Sequence, residues 1–140
     1  MKMLLNLIGS TNEAIMISAL KTLSRIICSN DMKQCWSKFL ELILLKIIDC
    51  YKTSKEATRE IDAIIPKITL TLPLDISINI LNPVIATDCY PSNLCAVKLL
   101  SELIYDQGKD LTDHHLDIIM PNIARVRSYL FQTKILHIIN

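Results

Sequence analysis

Few residues in this chain could do chemistry, and none stands beside the partners that chemistry requires. His114 and His115 lie between Asp113 and Asp117, all of them metal-ligand types. Adjacent residues on a helix point about 100° apart, so the two imidazoles cannot readily face one ion, and no metal site is expected. The five cysteines, Cys28, Cys35, Cys50, Cys89 and Cys95, are odd in number and show neither a CxxC pair nor a secreted-framework spacing. They read as reduced cytosolic thiols used as small apolar fillers. No glycine-rich phosphate loop, HExxH or GxSxG occurs, and no cysteine has a recognisable catalytic context. The expectation is a protein without catalysis, cofactor or metal.

What remains is surface chemistry. Lys52, Lys55 and Arg59 make one small basic cluster beside Tyr51, and Asp88 opposes it in charge. The formal net charge is only +1, with Lys and Arg scattered rather than striped, so a nucleic-acid partner is not expected. Mean hydropathy of +0.35 raises the question of a membrane. The densest apolar run, Phe39 to Ile48, is broken by Glu41 and Lys46 and falls short of the ~20 residues a span needs. The opening MKMLLNLIGS superficially resembles a signal peptide, but its apolar stretch is brief and Asn12 and Glu13 follow without a cleavage context. Burial against neighbouring helices accounts for both runs. Trp36 and Phe39, at helix spacing, read as core rather than as anchors for a partner helix.

The elements that must position these residues are helices. The chain is 51% hydrophobic with two glycines, a composition that suits helix on helix and not a turn-rich sandwich. Helix one is expected over about Met1 to Ile8, closed by Gly9. Helix two spans about Asn12 to Cys28, with Ser10, Thr11 and Asn12 as cap candidates. Helix three runs from about Lys33 to Cys50. Ser54 caps helix four, in which the interior Pro66 forces a kink or an early end. Helix five begins near Asp75 or Ser77. Pro91 suits the first turn of helix six, which Gly108 ends. Helix seven starts at Thr112 or Asp113, and the tail from Val126 to Asn140 is again helical in pattern.

These helices recur. Ile8, Ile48, Ile85 and Ile123 close the odd-numbered helices at offsets of 40, 37 and 38 residues by subtraction. Pro83 and Pro121 occupy the same place 38 residues apart, and Ala19-Leu20-x-x-Leu23 matches Ala96-Val97-x-x-Leu100 at an offset of 77. Helix pairs at this period mark HEAT-type repeats, each pair burying its face against the next. The fold expected is an all-α solenoid of about three and a half antiparallel helix pairs. Residues 1–125 form the array and 126–140 a divergent or truncated final helix.

Within that pattern, Ile80-Leu81-Asn82-Pro83-Val84-Ile85, Asp88-x-Tyr90-Pro91-x-Asn93-Leu94-x-Ala96 and Ile119-Met120-Pro121 resemble the C-terminal TOG-like HEAT domain of the CLIP-associating protein (CLASP) family. The resemblance covers about Met3 to Ala124 and rests on scaffold and turn residues. It implies a non-catalytic module of a microtubule plus-end regulator. Such a module recruits cytoplasmic linker proteins and mitotic motor or kinetochore proteins, in the cytoplasm at plus ends, spindle and kinetochore. The family's basic Ser/Pro-rich linker and end-binding motifs are not found, so the chain alone is not expected to track plus ends. After Arg125 the family's polar acidic turn is missing, because Val126-Arg127-Ser128 follows directly; either helices seven and eight fuse or the tail is unrelated sequence.

In TOG-type arrays the turns inside each pair line up along one edge, where tubulin docks. The matching candidates here are Ser10, Thr11 and Asn12; Tyr51, Lys52, Lys55 and Arg59; and Asp88, Tyr90 and Asn93. A tubulin-reading edge calls for an exposed aromatic in the first turn and several cations in the others. Gly9 to Asn12 offers neither, so direct tubulin binding is the alternative. A general HEAT adaptor without a cytoskeletal role is the other.

Overall fold

The computed structural model describes the backbone through Ile139 and the side chains through Val126. It is helical throughout, with no strand among the described residues: α1 (Lys2–Ile8), α2 (Glu13–Cys28), α3 (Lys33–Trp36), α4 (Leu40–Tyr51), α5 (Lys55–Ile68), α6 (Leu74–Thr87), α7 (Ser92–Gln107) and α8 (Asp113–Ile139). The chain folds as stacked hairpins, α1–α2, α4–α5 and α6–α7, with α8 opening a fourth. Helices α1, α4, α6 and α8 pack side by side in one layer, and α2, α5 and α7 in the other. The expected solenoid is what forms.

Local chemistry explains most boundaries. The Asn12 side chain accepts from the Ile15 N–H at 3.2 Å, and the Ser54 hydroxyl from the Ala57 N–H at 3.1 Å, each satisfying one orphan donor of a first turn. Helix α5 carries Pro66 in its last turn and ends two residues later, at Ile68. The β-branched run Ile68 to Thr71 becomes that helix end and a turn.

Helix three differs from expectation. It is broken into α3 and α4 by a 3₁₀ turn at Ser37–Phe39. Cys35, Trp36, Ser37 and Phe39 are all weak helix formers, which leaves the backbone there to packing. The break leaves Trp36 with no exposure at all while Lys38 and Glu41 stay in solvent. At the other end, α8 continues unbroken from Asp113 to Ile139, the fused form of helices seven and eight that was one of the two alternatives for the missing turn. The apolar tail positions Leu130, Phe131, Ile135, Ile138 and Ile139 lie outside the described side chains.

The core is one continuous apolar seam between the layers. Ile8, Leu20, Ile43, Leu44, Ile61, Ile68, Ile78 and Leu99 are each at most 1% exposed. Each such side chain contributes roughly 1.5–3 kcal/mol on leaving water, which sets the scale against which surface contacts are weighed.

Candidate functional site

Hydrogen bonds across the hairpins show how the repeats register. The Cys50 thiol donates to the Ile8 carbonyl at 3.2 Å, and the Cys28 thiol to that of Lys67 at 3.5 Å. The Asn122 amide donates to Asn82 Oδ1 at 2.9 Å, and His115 Nε2 lies 2.8 Å from Asp75 Oδ1. Each pair is about one repeat apart in sequence and joins like ends of like helices. The hairpins therefore stack in parallel, and the turns at Gly9–Asn12, Lys52–Ser54 and Asp88–Pro91 fall along one edge.

Capping occupies much of that edge. Asn12 caps α2, and its own N–H donates to the Ser10 hydroxyl at 3.1 Å; Thr11 and Asn12 are exposed. The Thr53 hydroxyl donates to the Cys50 carbonyl at 2.7 Å, and that of Thr58 to the Tyr51 carbonyl at 2.8 Å, tightening the second turn. In the third turn the Asp88 N–H donates to the Val84 carbonyl at 2.9 Å, and Asn93, half-buried, sends its N–H to the Cys89 carbonyl at 3.2 Å.

Lys52, Lys55 and Arg59 are exposed as a group. Lys52 Nζ lies 3.3 Å from Asp49, an exposed ion pair that takes some charge from the cluster. The aromatic the edge presents is Tyr90, 68% exposed in the third turn. Tyr51 is different: it is 4% exposed and lies beneath the edge, not on it.

What holds Tyr51 there escaped the sequence reading. Lys98 of α7 places Nζ 2.8 Å and 2.9 Å from the two carboxylate oxygens of Asp62 on α5, and 2.8 Å from the Tyr51 hydroxyl. The hydroxyl donates in turn to Asp62 at 3.2 Å, and the ammonium sits 5.4 Å from the Tyr51 ring centre. Burial raises the Tyr51 phenol above its ordinary value, the Asp62 charge adds to this, and Lys98 partly offsets it. Burial alone would lower the Lys98 ammonium, but its hydrogen bonds to Asp62 and Tyr51 outweigh burial and leave it raised. The signal was present as opposite charges 36 residues apart, close to the repeat length, at the same depth in α5 and α7.

The remaining candidates resolve into structure. The His115 ring is engaged by Thr112 and Asp75, and the two histidine rings stand 6.3 Å apart. No cluster of three or more metal-ligand side chains forms among the described residues. Cys50 and Cys95 are buried, and burial pushes the Cys95 thiol up to about 12; Cys28, Cys35 and Cys89 are exposed. No helix among the described residues is long and apolar enough to cross a membrane.

No family model matches the chain. It is 55% identical over 125 residues to the CLIP-associating protein of Drosophila melanogaster, an alignment covering 89% of this chain and 8% of that protein. It is 27% identical over 124 residues to CLIP-associating protein 1 of Xenopus tropicalis and to CLIP-associating protein 1-B of Xenopus laevis, covering 88% of this chain and again 8% of each relative. The chain thus spans about one-twelfth of the length of these relatives. The turn residues that carried the resemblance fall inside the aligned helical array, and the chain belongs to the CLIP-associating protein family.

Proposed function

We propose that this array is a non-catalytic docking module of a microtubule regulator, recruiting cytoplasmic linker proteins and motor or kinetochore proteins through its turn edge. The observation that carries the reading is the 55% identity to a CLIP-associating protein across 89% of the chain, on a scaffold whose exposed turns form a continuous rim. The relative's name attaches it to cytoplasmic linker proteins; the rim supplies exposed Lys52, Lys55, Arg59, Tyr90 and Asp88 as contact chemistry. Residues 1–125 are the working array, and 126–139 lengthen its last helix. The site of action is the microtubule plus end and spindle.

The test is a pull-down of the 140-residue chain against a cytoplasmic linker protein and against tubulin. Capture of the linker protein, lost on Tyr90→Ala or on the triple change of Lys52, Lys55 and Arg59 to Glu, is the expected result. Binding to neither overturns the reading and leaves a general HEAT adaptor. Direct tubulin binding is favoured by one observation, the exposed Lys52, Lys55 and Arg59 facing an acidic partner. It predicts co-sedimentation with microtubules that the triple reversal abolishes.

A further inference from the structure

At the edge opposite the turns, the three hairpins meet around a cavity of about 310 Å³. Its walls come from the end of α2, from α3, from the link between α5 and α6, and from the end of α7. It lies between hairpins, not at an open end of the stack. Most of the surface it shows is polar, with Ser29, Asn30, Thr71 and Gln107 set beside Ile27 and Leu72. Trp36 forms part of the wall. It is wholly buried, and its indole N–H has no hydrogen-bond partner among the described residues. Buried donors are ordinarily paired, so an unpaired one in the wall of a polar cavity calls for an acceptor. The 3₁₀ break at Ser37–Phe39, which sets Trp36 against the core, also sets its indole at this cavity.

We propose that this cavity takes a carboxylate, an Asp or Glu side chain presented by a partner protein, with Lys33 as its counter-ion and the Trp36 indole as a neutral donor. Charge fixes the sign of the occupant. Among the described residues Lys33 is the one charged group in the lining, and it makes no ion pair with any of them. The neighbouring Asp106 carboxylate lies outside the lining and accepts from the Thr69 hydroxyl at 2.7 Å. The Gln107 amide nitrogen is likewise spent, on the carbonyls of Thr69 and Leu72. One cation matches one carboxylate, whereas a phosphate carries about −1.5 to −2 and is ordinarily held by an arginine cluster. Size agrees, because ligand sites run from roughly 300 to 1,000 Å³ and this one, at the small end, holds a side chain and not a folded segment. The site stands apart from the turn rim and does not depend on what docks there.

Trp36 is the chain's single tryptophan, so its indole N–H gives one assignable NMR resonance. Titrating the 140-residue chain with N-acetylglutamic acid α-amide should move that resonance downfield and saturably. The expected dissociation constant is about 1–10 mM, the range for a ligand of that size. N-acetylglutamine α-amide, of the same shape without the charge, should give no saturable shift. Lys33→Gln should weaken binding of the acid by at least about fivefold. Lys33 is exposed, so an unchanged thermal melt certifies that the variant folds. An indole resonance that stays in place up to about 50 mM acid, above the weakest expected constant, overturns the proposal. So does an equal shift with the glutamine compound, or an affinity that Lys33→Gln leaves unchanged. Inorganic phosphate binding more tightly than the acid overturns the assignment to a carboxylate.

Discussion

The two junctions between hairpins are built by different means. Between the first and second hairpins the layers meet through Ile8, Leu20, Ile43, Ile47 and Ile61, and the polar contacts are weak thiol hydrogen bonds from Cys50 and Cys28 with one long ion pair, Lys21 to Glu60 at 3.7 Å. Between the second and third, charged and amide groups take over. Asp62, Lys98 and Tyr51 meet near the turn edge, and at the opposite edge the Thr69 hydroxyl donates to Asp106 at 2.7 Å. There too the Gln107 amide bonds the carbonyls of Thr69 and Leu72 at 2.8 and 2.7 Å. An apolar junction is strong and tolerant of small shifts. A polar one adds little net energy but fixes geometry, since each group left unpaired costs more than its bond contributed.

The largest effect should therefore come from the first junction. Ile61→Ala removes three buried carbons at a site with no exposure and is expected to destabilise by about 2–5 kcal/mol, read as a lower urea midpoint at unchanged slope. A loss below about 1 kcal/mol would mean the layers close over the void, and that the seam is looser than its burial suggests.

That apolar junction is the part of the molecule most legible in the sequence. Isoleucines at offsets near 38 reveal both the helix period and the repeat period, because the same residues serve each. The second junction is nearly invisible to the same reading. Lys98 sits between Val97 and Leu99, where a stripe-finding reading passes over it, and its meaning depends on Asp62 in another helix. Tyr51 shows the converse failure: its place next to Lys52 suggested an edge residue, whereas helix phase turns it inward beside Cys50. The break at Ser37–Phe39 was missed because a run of weak helix formers still carries helical spacing, and only packing shows which wins.

Next in size is the charged network itself. Lys98 and Asp62 side chains are 40% and 38% exposed, so solvent screens the pair and its coupling is modest. A double-mutant cycle of Asp62→Ala and Lys98→Met should give a coupling of about 0.5–1 kcal/mol, with Asp62→Ala the worse single change because it removes the shared acceptor of the ammonium and the Tyr51 hydroxyl. Additivity within about 0.3 kcal/mol would reduce the network to a decoration of an apolar contact. Alkaline pH gives an independent reading. The Lys98 ammonium, the Tyr51 phenol and the Cys95 thiol all hold their protons more tightly when folded. Each contribution is complete below the group's unfolded value and is lost as pH rises through its folded one; for the Cys95 thiol that window runs from 9.0 to about 12. Cys95→Ala should flatten that decline, and an unchanged profile would place the sensitivity elsewhere.

Thiol reactivity sharpens the contrast with almost no change in stability. At pH 8 a disulfide-exchange reagent should label Cys28, Cys35 and Cys89 in the native chain and spare Cys50 and Cys95, which react only after unfolding. Cys28 is the informative member, because its sulfur is exposed yet donates to the Lys67 carbonyl across the first junction. If that bond matters, Cys28 should react more slowly than Cys35 and Cys89, and Ile61→Ala should bring it level with them by loosening the α2–α5 contact. Equal rates in the unmutated chain would show that this junction rests on its apolar seam alone, unlike the one between the second and third hairpins, where hydrogen bonds from Lys98, Thr69 and Gln107 set the geometry.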